Sequence, residues 1–186
     1  LTVFISSICC AQTPIVKYYK DIYLQKEVPI KRAEFSQTVN QLIDGTITRQ
    51  VKNIKTNEEL FFLVYADKDC NDSIAGIKDY FENNDSLNYI APKLSNGDSS
   101  FFHFLAKNIR YPHFALQNRI SGIVYLKFTI TEDGQVENII IRNGANIFLD
   151  MEAVRVLQKL NFSNPPTFNG QPHSICFTFP LKFILK

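Results

Sequence analysis

Hydrophobic and polar residues alternate along the last strand-like segment of the chain. The apolar positions are Ile175, Phe177, Phe179, Leu181, Phe183 and Leu185, and the polar residues Ser174, Cys176, Thr178 and Lys182 fall beside or between them. A period of two predicts a half-buried β-strand with one apolar face. Pro180 interrupts the polar positions and has no N–H group, so we expect this strand at the edge of a sheet. A long edge strand is either an aggregation hazard or a docking site.

A β-hairpin is predicted upstream of this strand. Apolar residues occupy every second position of residues 122–131, namely Val124, Leu126, Phe128 and Ile130. Asp133-Gly134 follows, and an Asp-Gly pair between apolar runs favours a tight turn in which both central residues have positive φ. In the returning strand, residues 135–142, the continuous run from Ile139 to Ile141 allows a bulge or burial on both faces.

Two helices are predicted around these strands. Residues 149–160 place five apolar side chains on one helical face, namely Leu149, Ala153, Val156, Leu157 and Leu160. Asn164-Pro165-Pro166 then ends any helix. Upstream, Phe101, Leu105 and Ile109 at a spacing of four indicate a short helix that ends at Tyr111-Pro112.

The order of these elements predicts an α+β fold. The chain runs helix, strand, hairpin turn, strand, helix, strand, and a helical crossover makes the last two strands parallel. The simplest sheet has residues 122–131 at its centre. The final strand then lies at an edge, as Pro180 indicates independently.

Residues 101–186 resemble the C-terminal domain of TonB, the periplasmic protein that energises outer-membrane receptors in Gram-negative bacteria. The resemblance rests on an ordered set of short motifs rather than on any one of them. These are Arg110-Tyr111-Pro112, Ile120-Ser121-Gly122, Val124 to Phe128, Glu132-Asp133-Gly134 with Val136, Leu149 to Arg155, and the closing aromatic strand.

The resemblance implies a three-stranded antiparallel or mixed sheet backed by two helices. It also implies that the final strand accepts the TonB box, a short extended segment of an outer-membrane receptor, as an added strand. Energy transduction for outer-membrane transport and an inner-membrane proton-channel complex as partner follow from the same resemblance. Carried over to this sequence, the receptor-binding residues are Arg110, Tyr111, Ser174, Ile175, Cys176, Phe177, Thr178, Phe179, Leu181, Lys182 and Phe183.

The first half of the chain has a different character. Short β-like runs at residues 16–19, 22–24, 46–51, 60–65 and 76–81 predict a small β-rich domain over residues 14–82, with a short helix at residues 33–42. The region weakly resembles the hairpin repeats of the MORN or YwqK type. Residues 83–100 are rich in Asn, Asp and Ser and are predicted to be a linker.

The first residues point to export. Residues 1–11 are an apolar run that ends in Cys9-Cys10-Ala11, which is typical of the end of a secretory signal peptide and predicts a periplasmic protein. A truncated membrane anchor is the rival interpretation. An oxidising compartment permits a disulfide between Cys70 and Cys176, although the pattern favours Cys176 as an ordinary strand residue.

Composition argues against several functional classes. The net charge of +2 comes without a basic stripe, so nucleic-acid binding is not expected. His103, His113 and His173 have no metal-ligand spacing, and no phosphate-binding loop or nucleophile motif is present. We therefore predict no catalytic residues, no metal and no cofactor.

Three functions remain open at this stage. The first is a TonB-like receptor-docking protein. The second is an envelope adaptor or scaffold that uses the same fold without energy coupling, favoured because neither a membrane anchor nor a long proline-rich spacer precedes the domain here. The third is an enzyme, which nothing positive supports. The edge strand could also pair with a second copy of the chain to form a homodimer.

Overall fold

The computed structural model describes residues 13–22, 24–66, 89–95 and 101–185. The chain divides into two compact units, Leu1–Asp67 and Lys68–Lys186. The predicted signal peptide, the predicted strand at residues 76–81, Cys70 and most of the predicted linker lie outside the described residues. In the described part of the chain, no helix has the length and apolar character needed to cross a bilayer.

The described residues of the N-terminal unit contain an antiparallel meander of four strands. These are β1 (Ile15–Tyr19), β2 (Phe35–Gln41), β3 (Ile47–Asn53) and β4 (Glu59–Tyr65), and each pairs with the next. Asp44 closes the turn between β2 and β3, because its Oδ1 atom accepts the Thr46 N–H at 2.9 Å. The β-like runs at residues 16–19, 46–51 and 60–65 therefore correspond to strands.

Two sequence predictions in this unit are wrong. Residues 33–42 were expected to form a short helix, but they contain β2, which is hydrogen-bonded to β1 on one side and to β3 on the other. Pairing on both sides outweighs a weak local helical preference. The predicted strand at residues 22–24 is also absent among the residues described there, since Ile22 lies in a turn and Leu24 has φ +52°.

The C-terminal unit contains a three-stranded antiparallel arrangement centred on β7 (Gly122–Ile130). β7 pairs with β8 (Val136–Asn143) on one side and with β12 (Ile175–Phe183) on the other. β8 and β12 are therefore parallel to each other, as predicted. Alternate side chains of β7 are buried on the face that forms the core, namely Val124, Leu126, Phe128 and Ile130. The α+β fold class is confirmed.

The described residues of this unit contain three helices. They are α1 (Phe101–Asn108), α2 (His113–Gln117) and α3 (Ile147–Leu157). All five residues predicted for the buried face of the second helix are buried, but α3 begins and ends earlier than expected. It begins there because the Asn146 side chain accepts the Phe148 N–H at 3.0 Å and so caps the first turn. The five-residue helix α2 was not predicted.

The hairpin between β7 and β8 has a three-residue loop rather than the predicted two-residue turn. The Thr131 N–H donates to the Gln135 carbonyl, and of the loop residues Gly134 has the positive φ, +76°. This is a type I turn followed by a left-handed residue. A Cβ atom on Gly134 would also lie 2.3 Å from the Phe162 carbonyl oxygen. Both the positive φ and the lack of space therefore favour glycine at this position. The pairing of β8 with β7 has two register shifts, which agree with the bulge that the sequence allowed in this strand.

Short strands tie residues 89–95 to the segment before β12. β5 (Tyr89–Ile90) pairs with β10 (Thr167–Phe168), and β6 (Lys93–Leu94) pairs with β9 (Phe162–Asn164). β10 also pairs with β11 (Gln171–Pro172). Residues 89–95, which the sequence assigned to a linker, are therefore held within the C-terminal unit by backbone pairing.

A buried carboxylate joins the end of β8 to the start of α3. Asp150 is 3% exposed, and its Oδ1 atom accepts the Ala145 N–H at 3.0 Å. A Cβ atom on Gly144 would lie 2.4 Å from Asp150 Oδ2. The loop can thus approach the carboxylate because position 144 has no side chain.

We expect Gly144→Ala to destabilise the C-terminal unit by about 1–3 kcal/mol, because the added methyl group overlaps the buried Asp150 carboxylate. Urea unfolding followed through the methyl resonances of Leu149 and Leu157 measures this change. Asn143→Ala, at the exposed neighbouring residue, is the matched control and should have little effect. Equal stability of the two variants would contradict the assigned role of the close approach.

Candidate functional site

β12 lies at the edge of the strand arrangement in the C-terminal unit. It pairs with β7 over nine consecutive residues, from Ile175 opposite Ile130 to Phe183 opposite Gly122, without a register shift. Among the described residues no other strand pairs with β12. The prediction of a final edge strand is therefore confirmed within the described part of the chain, and Ser174 is the residue that leads into it.

The two faces of β12 differ as the sequence pattern predicted. Leu181 and Phe183 are buried on the core face, whereas Thr178, Pro180 and Lys182 are exposed on the other face. The core-facing side chains fix β12 to β7 and to the helices. The strand cannot leave the sheet without exposing them, so its edge is held in place by the core.

Pro180 determines which backbone groups of β12 point outwards. Pairs in an antiparallel ladder alternate between hydrogen-bonded and non-hydrogen-bonded. Pro180 faces Tyr125 in this register and has no N–H to complete a hydrogen-bonded pair. The Pro180–Tyr125 pair is therefore non-hydrogen-bonded. Because the register is continuous, Cys176, Thr178 and Lys182 belong to the same class.

The edge of β12 that pairs with no described strand, called the free edge below, consequently has a defined pattern of donors and acceptors. The N–H groups of Cys176, Thr178 and Lys182 point away from β7, and so do the carbonyl groups of these three residues and of Pro180. The edge lacks one donor, at Pro180. The missing N–H of Pro180 therefore removes one hydrogen bond to an added strand and none to β7.

Phenylalanine side chains form a connected cluster beneath β12. The Phe101 ring on α1 meets the Phe179 ring edge-on at 4.9 Å between centroids and stacks on Phe128 of β7 at 6.3 Å. Phe128 in turn stacks on Phe177 at 5.9 Å. Phe102 is 70% exposed and extends the cluster towards solvent, 6.0 Å from Phe179. Packing of aromatic edges and faces in this way stabilises α1 against the strand.

A groove of about 290 Å³ runs alongside this cluster. Its walls come from β12, from β7, from α1, from β9 and from the loop that precedes β6, and all but one of the lining residues are apolar. The lining residues are Ala91, Pro92, Phe101, Phe128, Ile130, Phe162, Phe177, Thr178 and Phe179. The sequence predicted β12 as a site but missed the groove, because its walls come from segments far apart in the chain. A surplus of Phe, 16 residues in all, was the available signal.

The Arg110-Tyr111 segment lies at the far end of β12. The Tyr111 ring meets the Phe183 ring edge-on at 5.8 Å, and its hydroxyl donates to the Ile120 carbonyl oxygen at 2.6 Å. Arg110 is exposed, while its backbone N–H donates to Glu152 Oε1 at 2.6 Å. Tyr111 thus contacts the strand with which the sequence grouped it.

Glu152 and Arg155 of α3 hold this segment in position. Arg155 donates from Nε to Glu152 Oε2 at 2.6 Å and from Nη2 to Oε1 at 2.5 Å, a bidentate ion pair. Arg155 Nη2 also donates to the Asn108 carbonyl oxygen at the end of α1. The hydrogen bonds that the Arg155 guanidinium donates to the Glu152 carboxylate raise the pKa of Arg155 above its ordinary value.

Cys176 takes part in a disulfide bond. The other three cysteines of the chain, Cys9, Cys10 and Cys70, lie outside the described residues. The sequence pattern had favoured an unbridged Cys176, because spacing alone does not bring two cysteines into bonding range. In the described residues no group of three or more His, Cys, Asp or Glu side chains is arranged to hold a metal ion.

We expect Glu152→Gln to release the Arg110 segment, because a neutral amide cannot accept both the guanidinium and the Arg110 N–H as a carboxylate does. The loss should be about 2 kcal/mol in the C-terminal unit, with an upfield shift of the Arg110 amide proton. Hydrogen exchange of the β7 amides and an amide NMR spectrum measure the two effects. Glu137→Gln on the exposed part of β8 is the control. An unmoved Arg110 amide would refute this role for Glu152.

A family model described as the Gram-negative bacterial TonB protein C-terminal matches residues 107–185. No curated protein and no solved structure is similar enough to match the chain. The matched region runs from the end of α1 through β12 and includes every residue predicted for receptor binding. β1 to β4 lie outside it, and the resemblance to MORN or YwqK repeats stays a prediction. Residues 107–185 form a domain of the TonB C-terminal family.

Proposed function

We propose that this domain docks on TonB-dependent outer-membrane receptors by adding an extended receptor segment to the free edge of β12. The observation that carries the proposal is the outward-facing row of backbone groups on a strand that the core holds rigidly. Strand addition uses such an edge directly, because main-chain hydrogen bonds supply affinity and alternate side chains supply specificity. The family generally interacts with outer-membrane receptors.

The number of edge groups sets the strength of backbone pairing. An added strand can bond to the N–H groups of Thr178 and Lys182 and to the carbonyl groups of Thr178, Pro180 and Lys182. At about 0.5–1.5 kcal/mol each, these five bonds contribute about 2.5–7.5 kcal/mol. Association costs about 4–15 kcal/mol in lost freedom. Backbone pairing alone is therefore marginal, and side-chain contacts must contribute to the affinity.

Arg110 and Tyr111 extend the proposed docking surface beyond the strand. Tyr111 packs on Phe183, so an added strand that reaches the C-terminal end of β12 comes close to this segment. The exposed Arg110 side chain then supplies a cation at that end. This supports the grouping of Arg110 and Tyr111 with β12 in one receptor-binding surface.

The compartment that fits this function is the periplasm. The TonB family acts in the bacterial envelope. The disulfide at Cys176 supports the same location, because disulfides persist in oxidising compartments such as the periplasm. The predicted signal peptide at residues 1–11 would provide the route of export.

Energy transduction is the second part of the proposal. In this scheme an inner-membrane proton-channel complex acts on the protein while β12 holds the receptor. The family assignment of residues 107–185 supports this part, whereas the geometry of the edge supports docking. Docking without any effect on receptor-dependent uptake would favour the envelope adaptor instead.

A pair of edge variants tests docking. Thr178→Pro removes an outward N–H and leaves pairing with β7 intact, whereas Pro180→Thr adds the missing outward N–H. With peptides from the TonB boxes of receptors in the same organism, we expect the dissociation constant to rise about fivefold for Thr178→Pro and to fall about fivefold for Pro180→Thr, one hydrogen bond each.

NMR titration of the full chain provides the measurement, since the amides of Cys176, Thr178 and Lys182 report the edge directly. Both side chains are exposed, so both variants should fold, and unchanged β7 amide shifts check this. Peptides that bind the two variants equally would rule out strand addition at this edge. Absence of any shift with every peptide would leave the domain with another kind of partner.

A further inference from the structure

We propose that one end of the N-terminal meander binds the surface of an anionic phospholipid bilayer. This end, called the tip below, consists of residues 20–22 and 24–34, which join β1 to β2, and residues 54–58, which join β3 to β4. The inference is independent of receptor docking, because it concerns the N-terminal unit alone. It rests on the isoleucines and the cations that the tip exposes together.

The register of the meander brings these two connections to the same end of the sheet. Tyr19 at the end of β1 faces Phe35 at the start of β2, which in turn faces Asn53 at the end of β3. Backbone hydrogen bonds join the connections to each other. The Glu34 N–H donates to the Tyr19 carbonyl oxygen at 2.9 Å, and the Ile54 N–H donates to the Glu34 carbonyl oxygen at 2.8 Å. The tip is therefore one surface, and the chain enters β1 and leaves β4 at the opposite end.

The tip exposes three isoleucines. Ile22, Ile30 and Ile54 are 37%, 57% and 38% exposed. Ile30 begins a 3₁₀ turn, Ile30–Arg32, in which no residue is buried, and the Arg32 N–H donates to the Pro29 carbonyl oxygen at 2.8 Å to close it. Single exposed apolar residues are ordinary on a protein surface, but three at one end of a sheet can enter a bilayer together.

Exposed cations accompany the isoleucines along the same connections. Glu27 is paired with Lys17 of β1 at 3.1 Å. The other charged residues of the tip are five basic and three acidic, an excess of two positive charges that equals the formal net charge of the whole chain, +2. The basic residues are Lys20, Lys26, Lys31, Arg32 and Lys55, all exposed, and the acidic residues are Asp21, Glu34 and Glu58. Among the described residues none of these five cations has an ion pair. The excess charge of the chain is thus available at the tip to an anionic surface.

This combination suits a bilayer better than a folded protein partner. Isoleucines can insert among the acyl chains while Lys and Arg keep their charged ends at the headgroups. Each cation close to an anionic bilayer strengthens binding about fivefold. Protein interfaces gain most from Trp, Tyr and Arg in buried central pockets, whereas the exposed apolar residues named here are aliphatic and lie on connections between strands.

Co-sedimentation of the full chain with lipid vesicles tests the proposal. The probe vesicles contain phosphatidylglycerol and phosphatidylethanolamine at about one to three, and vesicles of pure phosphatidylcholine are the neutral comparison. We expect binding to the anionic vesicles that weakens between about 0.05 M and 0.5 M salt. Binding to phosphatidylcholine should be weaker by about tenfold or more.

Two pairs of substitutions separate the tip from the net charge of the chain. Lys31→Gln combined with Arg32→Gln removes two cations of the tip, and the association constant should fall about 10- to 30-fold. Lys93→Gln combined with Lys159→Gln removes two exposed cations of the C-terminal unit. This control changes the net charge equally and should change binding by less than about threefold.

A single tryptophan reports insertion of the tip, because the chain contains no Trp. The emission of Ile30→Trp should move to shorter wavelength when anionic vesicles are added, since the indole ring leaves water. Ile43→Trp is the control, because Ile43 is 70% exposed in the turn between β2 and β3, at the opposite end of the sheet. Its emission should not move. Both positions are exposed, so both variants should fold.

The outcomes decide between a bilayer and other partners. Equal losses for the two pairs of charge substitutions, or equal emission shifts for the two Trp variants, would overturn the tip as the binding surface. Absence of binding to either kind of vesicle would overturn the proposal, and retention of the chain on immobilised poly-glutamate through Lys31 and Arg32 would then assign the tip to an acidic protein. Receptor docking is tested separately by the edge variants, so either proposal can fail alone.

Discussion

The rest of the C-terminal unit depends on the continuous pairing of β12 with β7. That ladder fixes the register in which Phe177, Leu181 and Phe183 enter the core, and it thereby fixes which backbone groups face solvent. Because successive residues alternate in direction, the strand cannot shift by one residue without reversing both faces. A rigid core and an open edge are consequences of the same pairing.

The position of Pro180 is compatible both with firm attachment of β12 to the core and with an open outer edge. A proline at a hydrogen-bonded position would weaken the attachment of β12 to β7, whereas at its actual position it removes one donor from the free edge only. Prolines on edge strands reduce indiscriminate pairing with other chains. Docking then depends more on side chains, and the aromatic groove lies next to the edge groups that remain.

The sequence predicted the elements whose periodicity is strong and local. The order of residues shows β7, the buried residues from Leu149 to Leu160 in and just after α3, and the alternation of β12. β2 was mistaken for a helix because its identity comes from two neighbouring strands rather than from its own pattern. The groove was missed for the same reason, since Ala91, Phe101 and Phe177 meet only after folding.

Amide hydrogen exchange along β12 tests the central claim most directly. In the free chain, the amides of Phe177 and Phe179 should exchange slowly and those of Thr178 and Lys182 quickly, because the first pair bonds to β7 and the second faces outwards. A bound receptor segment should slow the second pair and leave the first unchanged. Slow exchange at Thr178 and Lys182 in the free chain, or no slowing with any segment, would contradict an open docking edge.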